Sequence, residues 1–175
     1  MFPGSNCDRD AQYALSQIGE FPTDFVWHAE IDVSSYDLIL LPGGFSYGDY
    51  LRTGAVARFS RVMNSVHAAA SRGVPIIGIC NGFQILLEAG LLPGALLRNS
   101  RLSFHHEWIN IRTERTDTIF SGSCANGQVL RMPIAHGEGN YYAEDDTIKE
   151  LEENGQVLFR YCNQHGNVTP EDNPN

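Results

Sequence analysis

Two uninterrupted apolar runs, each stopped by glycine, constrain this chain more than any other feature. The first is "YDLILLPGG" (36–44), where Leu38 to Leu41 are continuously apolar and Pro42-Gly43-Gly44 ends the run. The second is "VPIIGI" (74–79), which passes directly into "CNGFQILLEAG" (80–90). A strand wetted on one face alternates apolar and polar residues, whereas a strand covered on both faces does not. Between the runs, from Ala55 to Arg72, the apolar positions are Val56, Phe59, Met63, Val66 and Ala70. That spacing is helical, and Gly73 ends it. "FQILLEA" reads as a second helix, closed by Gly90. Strand, helix, strand, helix with short turns predicts an α/β fold: a mainly parallel sheet with helices on both faces.

The flanking segments are less regular. The first ten residues read as a loop, with Asn6 or Asp8 able to cap a helix carrying Ala11, Leu15 and Ile18 and closed by Gly19. "DFVWHA" (24–29) reads as a short strand and "FSYGDYLRTG" (45–54) as a loop. Past Gly94, "EWINIRT", "GQVLRMPIA" and "GQVLFRYC" read as strands, and "DTIKELEEN" as a short helix with an acidic start. The second half is expected to extend the same sheet. At 175 residues the chain is read as one domain, 1–175.

Composition narrows the function. Lys+Arg total 12 and Asp+Glu 21, a formal charge of −9. Nucleic acids and anionic membranes call for cationic patches, so neither is expected as a main partner. The four cysteines, Cys7, Cys80, Cys124 and Cys162, form no C-x-x-C pair and are too sparse for a disulfide scaffold. They are read as reduced thiols of a cytoplasmic protein. No apolar stretch approaches the ~20 residues of a membrane span. The opening "MFPGSNCDRD" has no signal-peptide core.

The chemistry gathers at Gly78-Ile79-Cys80-Asn81-Gly82, a G-x-C-x-G sequence between a strand and a helix. This is the thiol form of a nucleophile elbow, in which a sharp turn projects the nucleophile at the carboxyl edge of a sheet. Side chains at the flanking positions would collide with the neighbouring strand and helix, so glycine fits. The helix N-terminus and its free N–H groups are expected to favour thiolate over thiol. The N–H of Asn81 points to where an oxyanion would form, and a backbone N–H from the Pro42-Gly43-Gly44 turn could supply a second donor. A free cysteine is otherwise often a buried small residue, and that is the reading for Cys124 and Cys162. Cys7 lies in a Gly/Asn loop that could approach the site.

These stretches together resemble class I glutamine amidotransferases of flavodoxin-like fold. "LLPGGFSYGDYLRTGAVARF", "GICNGFQILLEAGLLPGALLRN", "PIAHGEGNYY" and "FPGSNCDRD" carry the resemblance over nearly the whole chain. Among that family they are most similar to the glutaminase subunits that serve purine biosynthesis. The resemblance implies that Cys80 attacks the side-chain amide of glutamine to form a glutamyl thioester. Ammonia leaves, and water then releases glutamate. It implies Gly44 and Asn81 as the oxyanion hole and Gln84, in the C-x-G-x-Q pattern, as a substrate-binding residue. The ammonia would pass to a synthetase subunit, with a small third subunit possible, that converts formylglycinamide ribonucleotide to formylglycinamidine ribonucleotide. ATP and Mg²⁺ would belong to that partner. No G-x-x-x-x-G-K-[ST] loop and no metal site are found here.

The pattern has a gap. The family's base and orienting carboxylate lie in a His-Pro-Glu stretch, and none occurs in these 175 residues. The family's first strand also precedes the stretch matching "FPGSNCD", where only Met1 and Phe2 stand. The chain is therefore expected to lack both segments and to hydrolyse glutamine poorly alone. Of the six histidines, His28 and His67 are read as structural or solvated, and His105 and His106 as facing opposite ways on a strand. His165 sits in a polar turn. His136, with Glu138 in "AHGEG", is the best candidate and is read as site-adjacent or at an interface.

Two rivals remain on sequence grounds. One is a cysteine-elbow hydrolase or chaperone of the same fold type, disfavoured because such proteins often place histidine where Asn81 stands. The other is a non-catalytic regulatory subunit. Phe45, Tyr47, Tyr50 and Arg52, in the loop 45–54, are residue types that suit a partner surface or the lining of the site.

Overall fold

The computed structural model describes residues 1–175. The chain is α/β, with parallel and antiparallel ladders plus helices, and divides into two compact units, Met1–Ala95 and Leu96–Asn175.

The first unit holds the two apolar runs. They become β1 (Ile39–Leu41) and β2 (Ile76–Gly78), a parallel pair in the register Ile39↔Ile76, Leu40↔Ile77, Leu41↔Gly78. Ile39 and Leu41 are buried and Leu40 half-buried, whereas Leu38 at the start of the run is 39% exposed. Helix α1 (Asp8–Tyr13) runs on into a π-helical turn, Ala14–Ile18, before Gly19. Neither expected cap serves it. Cys7 is the N-cap, with no side-chain hydrogen bond to the helix, and Asn6 instead accepts a weak bond from the Cys7 thiol at 3.4 Å.

The helix expected over 55–72 is shorter. A 3₁₀ turn, Ala57–Phe59, is followed by Ser60 in extended backbone (ψ 144°), and only then by α2 (Val62–Ser71). The break takes Phe59 off the buried face: it is 75% exposed, with the Arg58 guanidinium 4.4 Å from its ring centroid. Met63, Val66 and Ala69 of α2 are buried and join Ile85 and Leu86 of α3 (Asn81–Glu88) in the core.

"DFVWHA" is not a strand. Its carbonyls have isolated partners instead of a ladder: the Met1 ammonium donates to Val26 O at 2.6 Å, and Val62 N–H to His28 O at 3.2 Å.

The second unit differs from expectation in kind. Its strands β4 (His105–Thr113), β5 (Val129–His136) and β7 (Phe159–Cys162) form a separate antiparallel sheet in the order β5-β4-β7, and β3 (Ala95–Leu97) pairs with β6 (Asn140–Tyr142). The cause is local. The segment joining β4 to β5 contains no helix, and a parallel crossover needs a dozen or more residues, usually helical, to return the chain. Helix α4 (Asp145–Glu153) lies between β6 and β7 in the chain and carries Asp145 and Asp146 in its first turn, where the helix dipole favours them. Pro133 sits on β5, an edge strand, where a missing N–H costs no ladder bond.

Candidate active site

Cys80 stands between the end of β2 and the first residue of α3, as the N-cap of that helix. Its backbone is at φ 53°, ψ −110°, a region that L-residues seldom occupy and that costs on the order of 1–3 kcal/mol. The neighbours leave the turn little choice. A Cβ on Gly78 would lie 2.6 Å from the Gly82 carbonyl oxygen, and one on Gly82 would run into the Leu41 carbonyl oxygen. Side chains there would push α3 away from β1 and β2. The two glycines allow the helix start to sit directly against the strand ends.

The backbone N–H groups of Asn81 and Gly44 lie near the Cys80 sulfur and pull its pKa down. They come from different strand ends. Gly44 lies in the turn after β1, at φ 112°, where a Cβ would come 2.5 Å from Asn6 N. Both donors favour the thiolate. Burial opposes them and is the larger effect, so the Cys80 thiol is pushed above its ordinary value, with Cys7 and Asp49 adding to the rise. The expectation of a lowered thiol pKa is thus not met. Cys80 keeps exposed surface, yet its sulfur is desolvated enough for burial to outweigh two N–H donors.

Asn81 does more than donate its backbone N–H. Its side chain is buried and bridges three groups: Oδ1 accepts from Ser46 N–H, and Nδ2 donates to Asp49 Oδ1 and to Gln84 Oε1, each at 3.2 Å. Gln84 is itself buried, one helical turn along α3. Asp49, which sequence reasoning passed over, has φ 54°, next to Tyr47 and Gly48, also at positive φ. Its signal was present: an acid just beyond a glycine turn at the carboxyl end of a buried strand. Cys7 also joins this group. A Cβ on Gly43 would be 3.3 Å from Cys80 Cβ and 3.7 Å from Cys7 Cβ, so the two cysteines flank one glycine.

The loop 45–54 splits between inside and outside. The Tyr47 hydroxyl bonds to His28 Nδ1 at 2.9 Å and Ser60 Oγ at 2.8 Å, which gives His28 a structural partner. Arg52 forms a bidentate pair with Glu88. Phe45 and Tyr50 are exposed.

His136 belongs to the second unit, at the end of β5, directly across the ladder from His105 on β4. Its placement depends on Asn99, a buried residue that sequence reasoning missed. Asn99 Nδ2 donates to Ser103 O and His136 O, both at 2.8 Å, and Oδ1 accepts from Gly139 N–H at 3.0 Å. Oδ1 can only accept, so His136 Nδ1, 2.8 Å away, carries the proton. The other ring nitrogen, Nε2, then bears the lone pair, and it is buried without a hydrogen-bond partner. The ring stacks on His105 with centroids 6.2 Å apart. Burial first, and then His105, hold the His136 pKa below its ordinary value. Glu138 lies two residues on, in the turn between β5 and β6. His105 faces Glu107 at 2.6 Å, and His67 is an exposed residue of α2.

Sequence comparison assigns the class of protein in which this strand–cysteine–helix turn occurs. The chain belongs to the CobB/CobQ-like glutamine amidotransferase domain family, whose model matches residues 1–175. It is 54% identical over 175 residues to the phosphoribosylformylglycinamidine synthase subunit PurQ of Moorella thermoacetica, covering all of this chain and 74% of that protein. The PurQ subunit of Thermosynechococcus vestitus is 55% identical, with 100% and 73% covered. Among solved structures, PurLQS from Thermotoga maritima matches with a TM-score of 0.83 and 46% identity, over 94% of this chain and 73% of that one.

Proposed function

We propose that this chain is the glutaminase subunit of a phosphoribosylformylglycinamidine synthase. Cys80 is the nucleophile. Its sulfur attacks the glutamine side-chain carbonyl, the carbonyl oxygen takes the negative charge, and the N–H groups of Gly44 and Asn81 receive it. Collapse expels ammonia and leaves a glutamyl thioester, which water cleaves to glutamate. Gln84, fixed by Asn81, lines the substrate side. Ammonia goes to a synthetase subunit, where ATP and Mg²⁺ drive the exchange of an amide oxygen for nitrogen on formylglycinamide ribonucleotide. The protein acts in the cytoplasm, in a multisubunit complex, and residues 1–175 form one amidotransferase domain.

One observation carries the reading: Cys80 at φ 53° between the end of β2 and the start of α3, with glycines at 78 and 82 that admit the helix against the strand ends. The kinship with PurQ subunits supports the choice of acceptor. In this reading a raised thiol pKa is a resting condition, to be overcome by a base. No residue of the first unit is assigned that task, and His136 and Glu138 are proposed as site-adjacent or interface residues. The test is Cys80→Ser, assayed with the synthetase partner. Glutamine-dependent synthesis is expected to fall by about 10³-fold or more, while synthesis from free ammonia persists. Loss of both activities, or of neither, would make this a docking subunit instead.

A further inference from the structure

We infer that Asn81 is a positioning residue, whose side-chain amide ties the turn carrying Gly44 to the start of α3 and so sets the width of the oxyanion hole. The inference rests on the glutaminase reading and adds to it what holds the two donors to one spacing. Those donors belong to different elements: Gly44 to the turn after β1, Asn81 to the first residue of α3. The turn lies directly against the nucleophile. A Cβ on Gly43 would stand 3.3 Å from Cys80 Cβ and 3.3 Å from the Ile79 carbonyl oxygen. The asparagine side chain joins the two elements. Its Oδ1 accepts from Ser46 N–H, two residues beyond Gly44, and its Nδ2 donates to Asp49 Oδ1 in the same loop, each at 3.2 Å. Ser46 N–H can only donate, so the oxygen of the amide must face it, and this fixes which way the amide points. The second Nδ2 hydrogen goes to Gln84 Oε1, at 3.2 Å within α3.

Two further observations give the tie its weight. The loop it grips is strained: Tyr47, Gly48 and Asp49 follow one another at φ 57°, 68° and 54°. Such backbone persists only where the surroundings hold it. Asn81 is also 1% exposed. A buried amide is costly unless its groups are paired, so an apolar side chain would fill the same space at lower risk. What an apolar side chain cannot do is hold a backbone N–H. With the tie cut, the turn is left to its contacts with the N-terminal segment, where Ser5 Oγ donates to Gly43 O at 3.2 Å. Gly44 can then drift from the place where the carbonyl oxygen gathers charge, and a shift of about 1 Å in such a group costs ~100-fold in rate. The oxyanion forms in the transition state and not in bound glutamine, so the loss falls on kcat and not on KM.

The experiment compares two reactions of Cys80 at one pH, in the complex with the synthetase partner. Glutamate release from glutamine passes through an oxyanion. Alkylation by iodoacetamide does not: the sulfur displaces iodide from a saturated carbon, and the rate reports only how available the thiolate is. In Asn81→Ala, kcat divided by the alkylation rate should fall about 100-fold, with KM for glutamine changed by less than about threefold. Asn81→Asp keeps the size of the side chain but sets a carboxylate against the Asp49 and Gln84 oxygens. It breaks the tie without leaving a cavity, and the same ratio should fall about tenfold or more. An unchanged ratio overturns the inference. Both rates would fall together if Asn81 merely kept the turn folded or the thiol ionised, and KM alone would rise if Asn81 served only to steady Gln84. The glutaminase reading fails separately, if Cys80→Ser leaves glutamate release intact.

Discussion

Cys80 and His136 are held in different ways. In the first unit, Cys80 is positioned by backbone: a positive φ, glycines that admit α3 against β1, and N–H donors from two turns. In the second unit, His136 ends an antiparallel edge strand and is positioned by one side chain, Asn99, which bonds to the ring, its own backbone carbonyl and the Gly137–Gly139 turn. Backbone positioning tolerates almost no change at the glycines. Side-chain positioning concentrates the dependence in a single amide. In both units burial drives the group towards its neutral form, raising the thiol and lowering the imidazole.

The largest effect should come from breaking the backbone arrangement. Gly82→Ala places a methyl where the Leu41 carbonyl oxygen already stands, and backbone on both sides must move. Such overpacking at a strand–helix junction is expected to cost about 3 kcal/mol or more, measured as a shift in the urea midpoint. Gly90→Ala is the internal control, since no heavy atom lies within 4 Å of its would-be Cβ. It does meet strain from φ 71°, a smaller cost of about 1–2 kcal/mol. Gly82 is not at positive φ, so equal losses for the two variants would show that the close approach of α3 to Leu41 costs no more than the backbone strain at Gly90.

The same contrast explains what could be read from sequence. The apolar runs and the glycines on either side of the strand–helix turn at Cys80 were legible, because steric demands on backbone leave glycine and apolar residues at fixed spacings. Helix α2 was misjudged at its start, because a single residue, Ser60, leaves the helical region while the apolar spacing runs on through it. The second unit's pairing was not legible. Strand patterns mark which residues are extended, not which partner they choose, and here the missing crossover helix decides for antiparallel ladders. Asn99 was invisible for another reason. A polar residue gives no sign in one sequence of whether it meets water or a set of buried partners, and Asn99 meets the His136 carbonyl far along the chain.

Asn99→Ala should have the next largest effect, and it should be confined to the second unit. The change removes the acceptor of Gly139 N–H and the donor to the Ser103 and His136 carbonyls, leaving buried polar groups unpaired. The expected loss is about 2–4 kcal/mol, seen as faster amide hydrogen exchange in β4, β5 and β7. Exchange in β1 and β2 that accelerated as much would mean the two units unfold as one, and that the contrast between them is geometric without being energetic. Asn99→Asp keeps Oδ1 but not the two donated bonds, and should fall between.

The smallest effect is one of pH, and its sign follows from the direction of the His136 shift. Burial holds the folded-state pKa below the ordinary 6.5, so between the two values the unfolded chain binds more protons than the folded one. Stability from the neutral ring is therefore complete above 6.5 and is lost as pH falls through the folded value. His105, stacked on His136, acts in the same direction, because protonating either ring disfavours protonating the other. Urea midpoints followed from pH 8 down to pH 5 should thus decline more in the unaltered protein than in His136→Gln, which keeps a donor for Asn99 and cannot titrate. Identical slopes would show that the ring is solvated enough to take its proton at no cost. The lone pair at Nε2, buried without a partner, argues for the steeper slope in the unaltered protein.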